Sequence, residues 1–344
     1  MLRTYVIPCG TFRKGPLKDD EGVAIGWLID ALPTRVTLIL SSKELRALVR
    51  AIKQLPSKLT RDRLSERLMQ ELTNGGPGLR LLDRSGEIHE ESESMRALFK
   101  AGRVDAVLNR SGRRRGGVAT DSENPRRSFV EAAREIEGLP TSRGLRDISH
   151  DSQLASLIEP MFRFCGDVVI IDPYLADNVL RTVYGNDWND EGFRFLVATA
   201  AQATLRQELR LRLCVVCCRK RLENCHRKLN RQRDSGESAA SALQKPEHAL
   251  REVTSRLRQR IVDFSGLARD QVDVEVLWAP NFSDRGIIAS RRVWNIEHSL
   301  QNLSELLAKL RRGKGVSRDK TRIRLYLDDD AREIKQLAEE ARSG

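Results

Sequence analysis

Three acidic side chains and one histidine stand where a metal or a phosphate could be handled. Asp172 closes the apolar run Gly166-Asp167-Val168-Val169-Ile170-Ile171-Asp172-Pro173-Tyr174-Leu175, Asp284 lies within Phe282-Ser283-Asp284-Arg285, and Glu297 and His298 follow shortly after. Carboxylates gathered at the end of a sheet can bind a divalent cation and activate water. Asp172, Asp284 and His298 are therefore the candidate catalytic set of a metal-dependent nuclease or phosphodiesterase, with Mg or Mn as cofactor. The structural alternative is preferred and needs no cofactor or metal. In it Asp172 caps the following helix, Asp284 pairs with Arg285 or an arginine of a neighbouring strand, and His298 is part of a strand-to-helix turn.

Basic residues crowd the same stretch. Arg285, Arg291, Arg292, Arg311, Arg312, Lys314 and Arg318 would form a phosphate-backbone groove if they converged, and Arg113, Arg114 and Arg115 form a second cluster in an Arg-, Gly- and Ser-rich segment. Arginine suits this task because its planar fork matches phosphate oxygens. Aromatic residues are only 5% of the chain, too few for an extensive base-stacking platform, so contact with the backbone rather than with bases is expected.

Two further constellations are weaker. Cys214, Cys217, Cys218, Cys225 and His226 have a zinc-like spacing, but no second C-x2-C pair closes a tetrahedron, and in Leu-Arg-Leu-Cys-Val-Val-Cys-Cys the cysteines serve as small apolar residues of a buried strand. His226-Arg227-Lys228 begins like H-x-K-x4-D, yet the aspartate position holds Arg233 and the segment reads as a helix.

The elements that must position these groups follow from periodicity and breakers. Strands are expected at 3–8, 36–40, 79–82 and 104–108, with helices from about Lys43, capped by Ser41 or Ser42, and over 59–72. Segment 109–127 lacks apolar residues and reads as a linker, followed by a helix near 129–137. A helix over 151–164 leads into the Asp172 strand, and helices follow to about 208. Strand 211–218, helix 219–233, helix 247–264, strands 272–278 and 285–290, helix 300–310, strand RIRLYL and a terminal helix capped by Asp328 to Asp330 complete the chain.

In 344 residues, 40% are hydrophobic and 31% charged, a globular composition with room for two domains. Lys and Arg number 60 against 48 Asp and Glu, a formal charge of +12, which favours polyanionic partners: nucleic acid first, an anionic membrane second. No apolar run is long enough to span a bilayer, the start lacks a signal-peptide core and the six cysteines are unevenly spread. A soluble, cytoplasmic protein with reduced thiols is expected.

Asp172-Pro173-Tyr174 on a strand and Phe282-Ser283-Asp284-Arg285 about a hundred residues on, before Trp294 and Glu297-His298-Ser299-Leu300, together resemble the phospholipase D-like domain found at the C-terminus of MIT-domain proteins, and its bacterial relatives. The resemblance covers about residues 150–310. The strand and helix pattern gives an α/β protein with a small N-terminal α/β domain of no recognised family over 1–110 and a basic linker and helix over 111–148, and the resemblance implies over 149–344 a phospholipase D-like α/β/α sandwich with a mixed sheet and a C-terminal strand-helix extension. Asp172, Pro173, Tyr174, Ser283, Asp284 and Arg285 are the family-motif positions.

The departure from that family is chemically specific. Phospholipase D enzymes attack with a histidine, and here the corresponding position is Ser283; a serine without an adjacent base cannot replace it at neutral pH. The resemblance therefore implies phosphate binding without phosphodiester cleavage and supports anionic phospholipid as a second ligand class beside the nucleic acid that the basic charge favours. Bacterial relatives imply a component of a defence or mobile-element system, with protein partners drawn from that system.

Overall fold

The structure is a computed structural model that describes the chain apart from residues 1, 9, 13–14, 33, 74–77, 83–97, 99–103, 111–124, 140–141, 145–149, 164, 206–209, 234–244, 290–291, 297–299, 313–321, 326–327 and 344. It is α/β, and the chain divides into two compact units, Met1–Thr141 and Ser142–Gly344.

The first unit contains β1 (Arg3–Val6), α1 (Asp19–Asp30), β2 (Val36–Ser41), α2 (Ser42–Lys53), α3 (Lys58–Thr73), β3 (Leu79–Leu82), β4 (Ala106–Asn109), β5 (Arg126–Ser128) and α4 (Phe129–Glu137). Its sheet has the order β3-β2-β1-β4-β5 and is parallel throughout. Buried on both faces, β2 is apolar along almost its whole length. Ser41 starts α2 as expected, its hydroxyl accepting the Glu44 N–H at 3.2 Å.

In such a sheet the crevice between β1 and β4, where the strand order reverses, is the usual ligand position. Among the described residues, three donors near that crevice are engaged within the protein. The buried Glu44 carboxylate accepts the N–H groups of Gly10 (2.8 Å) and Phe12 (3.1 Å), and Arg110, which follows β4, pairs with Glu21 at 2.5 Å and donates to the carbonyls of Gly15 and Pro16.

The boundary expected at residue 110 is corrected. Strand β5 extends the first sheet, and α4 is part of that unit's core rather than of a linker. Phe129, Ala132, Ala133 and Ile136 form its buried face, Phe129 stacks on Phe12 at 5.5 Å, and Ser128 and Glu131 close a capping box. Arg113, Arg114 and Arg115 lie outside the described residues. The second unit accordingly begins at β6, not at residue 149.

That unit contains β6 (Ser142–Gly144), α5 (Asp151–Phe162), β7 (Asp167–Ile171), α6 (Leu175–Val183), α7 (Glu191–Leu205), β8 (Leu211–Cys218), α8 (Arg219–Arg233), α9 (Pro246–Ser265), β9 (Val272–Ala279), β10 (Gly286–Ala289), β11 (Arg292–Ile296), α10 (Leu300–Arg311), β12 (Arg322–Leu325) and α11 (Asp328–Ser343). The sheet order is β6-β12-β11-β10-β7-β8-β9; β7, β8 and β9 run parallel, and β10 joins β7 antiparallel. Helix α11 lies on one face, its Ala331, Ile334 and Ala338 packed on Val169, Ile171, Val216 and Val293. The other face is covered by a helical layer in which α7 packs against α5, α9 and α10.

The α7–α10 contact fixes where α10 begins. Gly192 is the first-turn residue of α7 that makes it close: its N–H donates to Ser304 Oγ at 2.7 Å, and a Cβ there would stand 2.4 Å from the Leu300 carbonyl oxygen. Gly192→Ala is expected to force the helices apart and destabilise the protein by about 1–3 kcal/mol. Urea unfolding measures this, and an unchanged midpoint would refute the close-approach account.

Candidate functional site

The motif-bearing segments lie side by side. Strand β7 ends at Ile171, whose partner in β10 is Gly286, so Asp172-Pro173-Tyr174 leaves the sheet next to Ser283-Asp284-Arg285 entering it. Gly286 is itself constrained, because a side chain there would press on Ile334 of α11 at 3.1 Å.

Asp172 is 3% exposed and does not face solvent. One carboxylate oxygen accepts the Tyr174 N–H at 2.7 Å and the other accepts the Leu300 N–H at 3.4 Å, joining the turn after β7 to the first residue of α10. Burial pushes its pKa up, opposed by these backbone N–H groups and by the Arg285 charge. The expected cap is therefore present in a modified form, since Asp172 holds the starts of two helices. As a metal ligand it is corrected: both oxygens are engaged, and it does not line the adjoining cleft.

Tyr174 does more than pack. The guanidinium carbon of Arg221, from α8, lies 3.8 Å from its ring centroid and that of Arg285 lies 4.8 Å away. Two cations of different elements are thus held on one aromatic ring, an arrangement favoured by the ring's negative face. Arg221 also pairs with Asp177 at 3.1 Å; burial raises the Asp177 pKa, and the Arg221 charge opposes the rise. Arg285 is the less satisfied of the two cations. It forms no salt bridge among the described residues, and its Nε is buried without a hydrogen-bond acceptor. Sequence reasoning missed Arg221, which lies 47 residues from Tyr174 on a helix with several basic residues, none of which is marked by its own sequence as the one that meets the ring.

Beside Tyr174 is an open cleft of about 510 Å³, bordered by Tyr174, Arg221, Ser283 and Asp284 and, from α11, Glu333 and Glu340. No histidine, lysine or cysteine lines it among the described residues. Ser283 and Asp284 are exposed, and Asp284 makes no ion pair among the described residues, contrary to the pairing expected with Arg285 or a neighbouring strand's arginine. The cleft therefore carries both signs of charge.

Arg292 is corrected as a phosphate ligand. It lies in β11 with Trp294 and Ile296 on the face covered by helices and is 4% exposed, so a polyanion in solvent does not meet it. Arg291, Glu297, His298, Lys314 and Arg318 lie outside the described residues.

Alternation separates the cysteines. Cys214 and Cys218 point to the α11 face of β8 and Cys217 to the other, all three buried, so strand geometry opposes a shared tetrahedron. Burial raises the Cys214 pKa to about 11. His226 is buried in α8 with its Nε2 3.3 Å from Asn230 Nδ2, so the His226-Arg227-Lys228 sequence is helical and turned away from the cleft.

Two outcomes test this geometry. Because the ring rather than the hydroxyl holds the guanidinium groups, Tyr174→Phe should change stability by less than about 0.5 kcal/mol, while Tyr174→Ala should cost about 1–3 kcal/mol; equal losses in urea unfolding would refute it. For Asp172, a pKa raised on folding means the native state keeps its proton longer than the unfolded chain. Its ionisation thus costs stability as pH rises from about 4 through the raised native value. The stability of the parent protein relative to Asp172→Asn should therefore fall over that interval, and a relative stability that rises with pH would contradict the assignment.

No family model, no curated protein and no solved structure matches the chain.

Proposed function

We propose that this chain is a nucleic-acid-associated, non-catalytic phosphate-binding protein, and that the junction of Tyr174, Arg221 and Arg285 is where it touches a phosphate. The observation that carries this reading is the pair of guanidinium groups held on the Tyr174 ring beside an open cleft, Arg221 lining that cleft and the half-buried Arg285 forming no salt bridge among the described residues. A guanidinium fixed in orientation but incompletely satisfied suits a phosphate oxygen, which supplies both charge and acceptor. The excess of basic residues, +12 overall, supports the polyanion as the partner class.

The non-catalytic part rests on the cleft's chemistry. Cleavage through a covalent intermediate needs a nucleophile with a base, and Ser283 has neither histidine nor lysine beside it among the described residues. Cleavage through a metal held by Asp172 and Asp284 needs both carboxylates free to coordinate, whereas Asp172 spends both oxygens on backbone N–H groups. Membership of a bacterial defence or mobile-element system, alongside protein partners, is proposed from the family resemblance alone.

Fluorescence anisotropy with labelled single-stranded and duplex oligonucleotides, repeated across salt concentrations, tests the proposal. Affinity should fall steeply with salt, and Arg285→Gln should weaken binding to all sequences alike while lowering the salt slope by about one. Absence of binding at low salt, an unaffected Arg285→Gln variant, or preferential capture by anionic phosphatidylserine vesicles would overturn it.

A further inference from the structure

The cleft at Tyr174 is a poor path for a whole strand of nucleic acid, because Asp284, Glu333 and Glu340 line it beside Arg221. A second groove, at the β9 edge of the same sheet, has the opposite character. It runs between α9 and the edge strand β9, has a volume of about 580 Å³, and presents Arg251, Arg258 and Arg269 with no carboxylate among its lining residues.

The placement follows from the sequence. Arg251, Thr254, Arg258 and Val262 recur at helical spacing, so they share one face of α9, and the two arginines stand two turns or about 10.5 Å apart along it. The opposite face of that helix is apolar, with Ala249, Val253, Leu257 and Ile261 buried. Gly266 then ends α9 in the left-handed conformation, φ 63°, which a side chain would resist. The turn that follows brings Arg269 back beside the helix. The floor is fixed by Trp278 of β9, whose indole N–H donates to Thr254 Oγ1 at 3.2 Å, and Thr254 in turn donates to the Leu250 carbonyl at 2.8 Å.

All three arginines are exposed, and none forms a salt bridge among the described residues. Other arginines of this unit are neutralised by nearby carboxylates, as Arg256 is by Glu252 at 2.6 Å and Arg311 by Glu191 at 2.5 Å. Arg258 also borders a neighbouring pocket containing Asp273 and Glu275, which lie on the opposite face of β9 from Val276 and Trp278. Three cations without a salt bridge among the described residues thus border one recess that has an aromatic ring at its base.

We infer that this α9–β9 groove is a binding track for single-stranded nucleic acid, with Arg251, Arg258 and Arg269 engaging successive parts of the phosphate backbone and Trp278 offering a face to a base. A recess between a helix and a sheet edge admits an extended strand, whereas a bilayer presents a flat surface. Three separated guanidinium groups also fit a polymer better than one small anion. This inference takes its ligand class from the nucleic-acid reading above but locates the strand at a different surface.

The test compares two charge-matched variants of the full chain: Arg251→Gln, Arg258→Gln and Arg269→Gln combined, and a control combining Arg46→Gln, Arg50→Gln and Lys53→Gln on exposed positions of α2. Circular dichroism and urea unfolding establish that both fold. With a labelled single-stranded oligonucleotide, the groove variant should bind about tenfold or more weakly and lose about two from the salt slope, while the control loses far less. If the parent protein binds the oligonucleotide and both variants weaken equally, the groove is overturned and the nucleic-acid reading stands. If the parent does not bind at all, both fall. Loss of phosphatidylserine-vesicle capture by the groove variant, with oligonucleotide binding intact, would assign the groove to lipid and overturn the inference.

Discussion

The second unit depends on a carboxylate placed in a dry position. Asp172 can be tolerated there only because its oxygens accept backbone N–H groups from Tyr174 and Leu300 and because Arg285 is near enough to oppose the cost of burial. Each of those partners is delivered by a separate element. The turn after β7 supplies Tyr174, the α7–α10 contact at Gly192 sets the position of Leu300, and the pairing of β10 with β7 brings Arg285 alongside. A single buried side chain therefore gives the sheet end its shape, and the same constraint keeps both its oxygens on backbone N–H groups.

What remains at that sheet end is a set of cations arranged by packing. Tyr174 organises Arg221 and Arg285 on its ring, with Arg221 further anchored by the buried Asp177. The acidic residues of α11 opposite them limit how much anion the cleft can accept. The extended basic surface is found instead where the sheet ends at β9. In the first unit, by contrast, the crevice between β1 and β4 has its loop amides bonded to Glu44 and its arginine paired with Glu21.

Much of the element order was legible from the chain. Strand Leu211–Cys218 and helix Arg219–Arg233 occur at the expected residues, because an apolar run and a basic run meet at one sharp boundary. Helix α1 was not assigned, and its sequence explains why: Gly22 and Gly26 interrupt the periodicity, Gly22 allowing Leu55 to approach closely. Helix α4 was seen but placed in a linker, since its partner Phe12 is more than a hundred residues away. Strands β6 and β11 were missed because their pairing is set by β12 and β10, not by their own pattern. At the site, the β7–β10 adjacency was legible from two short motifs. The burial of Asp172 and Arg292 was not, because a charged residue at a strand end gives no sign of which side of the sheet it faces.

The central claim is that phosphate is held at this sheet end without being attacked. The most direct measurement is the integrity of an end-labelled oligonucleotide after prolonged incubation in saturating complex with the protein, with Mg or Mn present, together with a search for a phosphorylated protein intermediate. A strand recovered intact from a salt-reversible complex is the expected result. Strands shortened by the parent protein but left at full length by Asp172→Ala, or phosphate trapped on any histidine of the chain, would contradict it.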